Sequence, residues 1–219
     1  MNQQSDSLAS RERMIAEQLR PRGIRNEEVL RAILAVPREA FVPDHEQVRA
    51  YADEALPIGL DQTISQPFIV ALMAEALLLE GTSRVLEVGT GSGYAAAVLS
   101  LLADEVYTME RHPALARQAA SKLYALGFLN VHVVVGDGTR GLQQQSPYTG
   151  ISVPASGPTV PNSLKEQLAI SGRLVMPVGL RDSAQKLLRV TRTGPFDYEE
   201  EDLGGVGFVP LIGAEGWEP

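Results

Sequence analysis

The sequence predicts an α/β fold: a doubly wound, mostly parallel sheet with an N-terminal helical preamble. Two observations carry that prediction. Short β-branched runs alternate with helical patterns through the middle of the chain, the pattern of a parallel sheet with helices on its faces. The first of these runs, residues 84–88, enters a turn containing Gly89, Gly91 and Gly93 and then a small-residue helix over 95–102. This is the form of the first strand-to-helix turn of a doubly wound sheet, where ligands bind beyond the carboxyl ends of the strands. Glycine suits that turn because the backbone can approach a ligand with no Cβ in between.

The other elements follow in chain order. Met14, Ile15 and Leu19 mark a first helix, ended by Pro21 and Gly23; Asn26 caps a second, stopped at Pro37. Residues 38–57 read as irregular, and 56–67 as a polar, hydroxyl-rich loop feeding a helix with Ile69, Leu72 and Met73 on one face. Composition alone makes Ser65 the N-cap of that helix, although a helix N-terminus also offers free N–H groups to an anion. Further strands are predicted at 105–109, 131–135, 148–153 and 173–178, with helices from Pro113 to Gly127 and over 161–168. Residues 187–193, 196–203 and 206–211 read as closing strands, the last two antiparallel. The acidic run at 199–202 fits a solvated edge, where charge blocks strand-to-strand pairing.

Composition sets the outer bounds. A chain of 219 residues suits one domain, 1–219, with a helical region over 1–57 and the sheet and closing strands over 58–219. The absence of cysteine excludes disulfides, thiol catalysis and a Cys-ligated metal. Three scattered histidines offer no metal-ligand spacing, so no metal is expected. A net charge of −8 argues against a sequence-independent grip on nucleic acid. The N-terminus is polar and no apolar run approaches the ~20 residues of a membrane span, so the expectation is a cytoplasmic protein free of the membrane.

The spacing of the glycines narrows the ligand. Gly89, Gly91 and Gly93 give G-x-G-x-G, whereas a dinucleotide fingerprint would place glycine where Tyr94 stands, and no Lys-Ser/Thr pair follows as in a phosphate loop. Glu87 adds a carboxylate at the strand end, a poor neighbour for pyrophosphate and a good one for an ammonium or sulfonium. E-x-G-x-G-x-G therefore points to S-adenosylmethionine. Glu110, about 20 positions further on, can hydrogen-bond the ribose hydroxyls. Asp137, between Gly136 and Gly138, can either reach an adenine amino group or form a tight Asx turn.

Several ordered segments resemble the protein-L-isoaspartate O-methyltransferase family. They are Val36-Pro37-Arg38-Glu39-Ala40-Phe41-Val42, Gln62-Thr63-Ile64-Ser65-Gln66-Pro67, the glycine turn, Val106-Tyr107-Thr108-Met109-Glu110-Arg111, Gly136-Asp137-Gly138 and Phe208-Val209-Pro210-Leu211. The resemblance spans nearly the whole chain from about residue 10. It implies a seven-stranded, Rossmann-like methyltransferase sheet, S-adenosylmethionine as donor, a monomer, and methylation of the free carboxylate of isoaspartyl residues in damaged proteins and peptides. By position it makes Ser65 the active-site hydroxyl. It places Ile64, Ser65, Glu87, Gly89, Thr90, Gly91, Ser92, Gly93, Glu110, Arg111, Asp137 and Gly138 on the donor, and Thr63, Ser65 and Val209 on the acceptor.

Four residues depart from the family pattern: Asp61 for glycine, Thr149 for aspartate, Pro154 for threonine and Gly207 for arginine. They are expected to cluster where the family handles its substrate. Two other readings therefore stand beside isoaspartyl repair: a diverged methyltransferase with another carboxyl or small-molecule acceptor, and a non-catalytic S-adenosylmethionine-binding homologue.

Overall fold

A computed structural model describes residues 3–80, 82–181 and 183–218, with side chains from Ser7 onward. Helix α1 (Gln3–Met14) runs on through a π-helical turn (Ile15–Leu19) and a 3-10 turn (Arg20–Arg22), and stops at Gly23 with φ 103°. Helix α2 (Glu27–Ala35) starts where Asn26 Oδ1 accepts the N–H groups of Glu28 and Val29, two of the donors a helix start leaves free. Residues 38–57 hold two 3-10 turns, Arg38–Phe41 and Asp44–Arg49.

Strands β1 (Leu56–Gly59) and β2 (Gln62–Ile64) form a two-stranded hairpin, followed by helix α3 (Pro67–Ala76). Then come β3 (Arg84–Val88), α4 (Tyr94–Ser100), β4 (Glu105–Glu110), α5 (Pro113–Ala125), β5 (Val131–Val135), β6 (Tyr148–Ser152) and α6 (Asn162–Glu166). Three strands close the chain: β7 (Leu168–Val178), β8 (Gln185–Arg192) and β9 (Tyr198–Val206). The sheet is seven-stranded in the order β5-β4-β3-β6-β7-β8-β9, parallel from β5 through β7, with β8 and β9 antiparallel. This is the doubly wound sheet that the sequence predicts.

Because β3 lies between β4 and β6, its carboxyl end is the topological switch point, where the crossovers diverge and leave a crevice. Successive β3 side chains go to opposite faces. Val85 joins Met14, Ile33 and Val98 beneath the N-terminal helices, while Leu86 and Val88 join Tyr148, Leu164 and Met176 on the other side. Burial on both faces explains why this strand reads as a continuous apolar run interrupted only by Glu87.

Four expectations change. The loop at 56–67 contains a hairpin, and its two turn residues, Leu60 and Asp61, take φ 53° and 57°. Alternation is too weak across this short hairpin to show in the sequence. Strand β7 begins at Leu168 rather than 173, because Ser171 at φ 66° allows a kink that keeps the earlier residues in the sheet. Residues 206–211 do not form a strand: β9 ends at Val206, and the chain beyond it crosses the carboxyl edge, with a single bridge from Pro210 to Ser156. Ser65 is not a cap. Gln66 holds the cap position of α3 and no side chain fills that role.

Candidate active site

The crevice at the end of β3 is an inner cleft. Its floor is the glycine turn, where Gly91 (φ 51°) donates its N–H to Glu110 Oε2 at 2.9 Å. A left-handed backbone this close to a carboxylate favours glycine. Glu110 Oε1 also accepts from the His112 N–H at 2.9 Å, so both oxygens are fixed at the end of β4. Each keeps a lone pair for a further donor. Gly138 closes the wall against β3, and a Cβ there would run into Val88.

Glu87 is completely buried and lines this cleft. Thr108 Oγ1 donates to its Oε2 at 2.5 Å, and Thr90, 2.7 Å from Thr108, must then donate to Thr108, since a hydroxyl has one proton to give. The other oxygen, Oε1, has no hydrogen-bond partner among the described residues. Burial pushes the Glu87 carboxyl up to about 8, helped by the charge of Glu110. An orphaned oxygen on a buried acid is costly unless something meets it. A cationic ligand group is the chemistry that fits.

Ser65 stands at the mouth of the cleft, half-buried, with no hydrogen-bond partner for its hydroxyl among the described residues. Its position comes from the backbone. Arg38, fully buried, donates Nη2 to the Ser65 carbonyl at 2.8 Å and Nε to the Ala50 carbonyl at 2.7 Å. Its guanidinium carbon lies 4.8 Å from the centre of the Tyr94 ring, at the start of α4. The segment around Arg38 thus ties the Ser65 loop to the helix that follows the glycine turn.

Ser65 also lines a second cavity. This outer groove lies between the hairpin, α3 and the crossing C-terminal chain, and Thr63, Ser65, Pro154 and Val209 belong to the walls of both cavities. Of the predicted site residues, Thr63, Ile64, Ser65, Glu87, Gly89, Thr90, Gly91, Ser92, Glu110, Arg111, Gly138 and Val209 line the inner cleft. Two do not reach it. Gly93, at φ 90°, packs on Leu123 and Ala119. Asp137 turns to the backbone: Oδ1 accepts from Thr139 N at 3.0 Å and Oδ2 from Ala214 N at 2.9 Å. Burial works to raise its pKa, but these bonds outweigh it and hold the carboxyl below its ordinary range. It anchors the C-terminal segment.

Residue-by-residue reading missed Arg38, Tyr94, Met109, Ala155, Leu211 and Ile212. The last two arrive only because the chain after β9 folds back over the cleft, where Leu211 N donates to the Ser156 carbonyl at 2.7 Å. Arg38 was visible only as part of a motif. A buried arginine bound to two carbonyls leaves no spacing signature.

The family model of protein-L-isoaspartate(D-aspartate) O-methyltransferase matches residues 9–216. The chain belongs to this family. A protein-L-isoaspartate O-methyltransferase 1 of Rhodopseudomonas palustris is 59% identical over 95% of this chain and 85% of its own length. A protein-L-isoaspartate O-methyltransferase 2 of Marinobacter nauticus is 54% identical over 99% of this chain and 100% of its own. A solved protein-L-isoaspartate O-methyltransferase superposes with a TM-score of 0.85 at 29% identity, covering 94% of this chain and 67% of that one. A putative member from Plasmodium falciparum, solved with S-adenosyl-L-homocysteine, shares the fold with a TM-score of 0.81 at 24% identity, over 94% of this chain and 98% of that one.

Within this methyltransferase family the four departures separate. Asp61 is exposed at the hairpin tip, in a left-handed conformation that glycine takes most easily and aspartate tolerates. Thr149 lies at the amino end of β6, donating to the Arg84 carbonyl at 3.0 Å, at the opposite end of the sheet from the cleft. Only Pro154 and Gly207 reach the cavities. The expectation that all four cluster at the substrate is thus corrected to two.

Proposed function

We infer that the chain transfers a methyl group from S-adenosylmethionine to the free carboxylate of isoaspartyl residues in damaged proteins and peptides. The inner cleft holds the donor, the outer groove admits the acceptor, and Ser65 stands where the two meet. That shared wall of Thr63, Ser65, Pro154 and Val209 is the observation that carries the assignment of roles.

When bound, S-adenosylmethionine supplies a methyl group on a positively charged sulfur. Glu87 Oε1 is free to meet the ammonium of such a ligand, and the Glu110 carboxylate, held by Gly91 and His112, is aimed to accept from ribose hydroxyls. The chain's part in the reaction is placement. An acceptor carboxylate has an ordinary pKa of about 3.9 and is ionised at neutral pH, so no residue need remove a proton. This accords with a cleft whose described lining holds no histidine, lysine or cysteine. The Ser65 hydroxyl donates to the incoming carboxylate and sets one oxygen in line with the methyl group. Such positioning contributes much of the rate in reactions of this kind.

The same reading carries a monomer working in the cytoplasm, and the charge of −8 weighs against a sequence-independent grip on nucleic acid. No helix among the described residues is long and apolar enough to cross a membrane, and no three or more of their acidic and histidine side chains come together in a cluster that could hold a metal ion. The test is methyl transfer from labelled S-adenosylmethionine to an isoaspartyl peptide and to its aspartyl twin. Labelling of the isoaspartyl peptide alone is expected. Labelling of neither, with the donor product still bound, would overturn the assignment.

A further inference from the structure

The outer groove contains one charge that the reaction does not use. Among its described lining residues, Arg22 alone is charged; the rest are apolar, small or neutral polar. Arg22 lines the groove but not the inner cleft, so it stands away from the transferring methyl. Its guanidinium is held in place rather than loose. The guanidinium carbon lies 3.5 Å from the centre of the Phe68 ring, and Nη1 donates to Asp53 Oδ2 at 2.7 Å. A face-on aromatic contact fixes the plane of the fork and leaves its edge available. The side chains of Arg22 and Asp53 are 41% and 34% exposed, so the pair remains open to exchange with a ligand. Nε and Nη2 carry no partner among the described residues. Asp53 is tied to the acceptor loop in turn, since its carbonyl accepts from Gln66 Nε2 at 2.9 Å, one residue beyond Ser65. Across the groove, Gly207 presents no side chain, and a Cβ there would meet nothing within 4 Å.

We propose that Arg22 is a specificity-determining residue that binds a second carboxylate of the acceptor, one flanking the isoaspartyl residue. The proposal rests on the isoaspartyl reading above. The acceptor carboxylate itself must enter the inner cleft, which Arg22 does not line; a carboxylate at Arg22 therefore belongs to a neighbouring acidic side chain or to the peptide's C-terminus. Arginine suits the task because its planar fork can hold Asp53 on one edge and a ligand carboxylate on another.

The test compares kcat/KM for an isoaspartyl peptide with an adjacent glutamate against one with glutamine there, and for the glutamate peptide with free and amidated C-termini. The wild-type chain is expected to prefer the added carboxylate, and the free and amidated arms separate its two sources. Arg22→Gln should reduce that preference about three- to tenfold, through KM, as the loss of a partly exposed charge-assisted bond implies. Asp53→Asn should raise it, because the competing carboxylate is gone; a merely structural role would not improve with that change. Gly207→Arg added to Arg22→Gln should restore part of the preference, and Arg31→Gln, on a remote surface pair, should leave it as in wild type. Equal kcat/KM for all wild-type pairs, or an Arg22→Gln ratio equal to wild type, overturns the proposal while isoaspartyl methylation stands. Methylation of no peptide overturns the underlying reading and this proposal with it.

Discussion

The inner cleft and the outer groove share a wall but follow different plans. The inner cleft is assembled from strand ends and a glycine turn, with both carboxylates bonded to nearby backbone or hydroxyl donors. The outer groove is assembled from a hairpin, a helix start and an extended C-terminal chain, with one cation among its described lining residues and an open glycine. A donor that never varies can be met by a fixed set of groups at a rigid switch point. Acceptors that are arbitrary stretches of damaged protein need a surface that tolerates them. Of the sequence departures that touch a cavity, Gly207 lines the groove alone and Pro154 the shared wall, while the glycine turn keeps its full motif.

The largest effect should come from breaking the inner side alone. Glu87→Gln removes the carboxylate that faces the ligand cation, and losing one partner of a buried charge pair costs about 2–5 kcal/mol, or at least about 30-fold in affinity. Calorimetry with S-adenosylhomocysteine measures this directly. In the wild type, affinity should climb as pH rises toward 8, because binding a cation favours the ionised form of a carboxyl raised to about 8. Stability runs the other way. The folded chain keeps a proton on Glu87 that the unfolded chain has lost above its ordinary value of 4.5, so stability falls as pH rises from 4.5 to about 8. Glu87→Gln should flatten that slope and raise Tm at pH 8, which a thermal melt across pH would show.

Ser65→Ala acts at the shared wall. Losing one hydrogen bond to a charged acceptor is worth about 1.5–3 kcal/mol, so kcat on an isoaspartyl peptide should drop roughly 10- to 150-fold. Donor affinity, read by calorimetry, should change less than about threefold. A change confined to the groove should be smaller. Gly207→Arg adds a cation where there is space for a side chain, and should lower the peptide KM about two- to fivefold at low salt, less at high salt. Smallest of all, Asp61→Gly and Thr149→Asp should leave the KM within about twofold, since neither residue lines a cavity.

The fold and the glycine-turn end of the inner cleft were legible in the sequence because local chemistry specifies both. Glu87 and Glu110 end buried strands, and the glycine turn follows from the positive φ values its backbone needs. The acceptor side was legible only through motif resemblance. Ser65 reads locally as a cap, yet its hydroxyl has no partner among the described residues, because Gln66 takes the cap position and Arg38, 27 residues away, holds the Ser65 carbonyl. Asp137 shows the converse: a motif position suited to a ligand whose carboxylate is committed to the amide of Ala214, 77 residues on. Neither contact has a local pattern. Long-range closure by the segment after β9 decides both the roof of the cleft and the wall of the groove.

The division of labour between the two cavities is tested most directly by Gly207→Trp. Gly207 lines the outer groove and not the inner cleft, and an indole at this open position would take up space in the groove. The KM for an isoaspartyl peptide is expected to rise tenfold or more, while calorimetric affinity for S-adenosylhomocysteine stays within about twofold of wild type. An unchanged peptide KM, or an equal loss of both, would contradict entry of the acceptor through the outer groove.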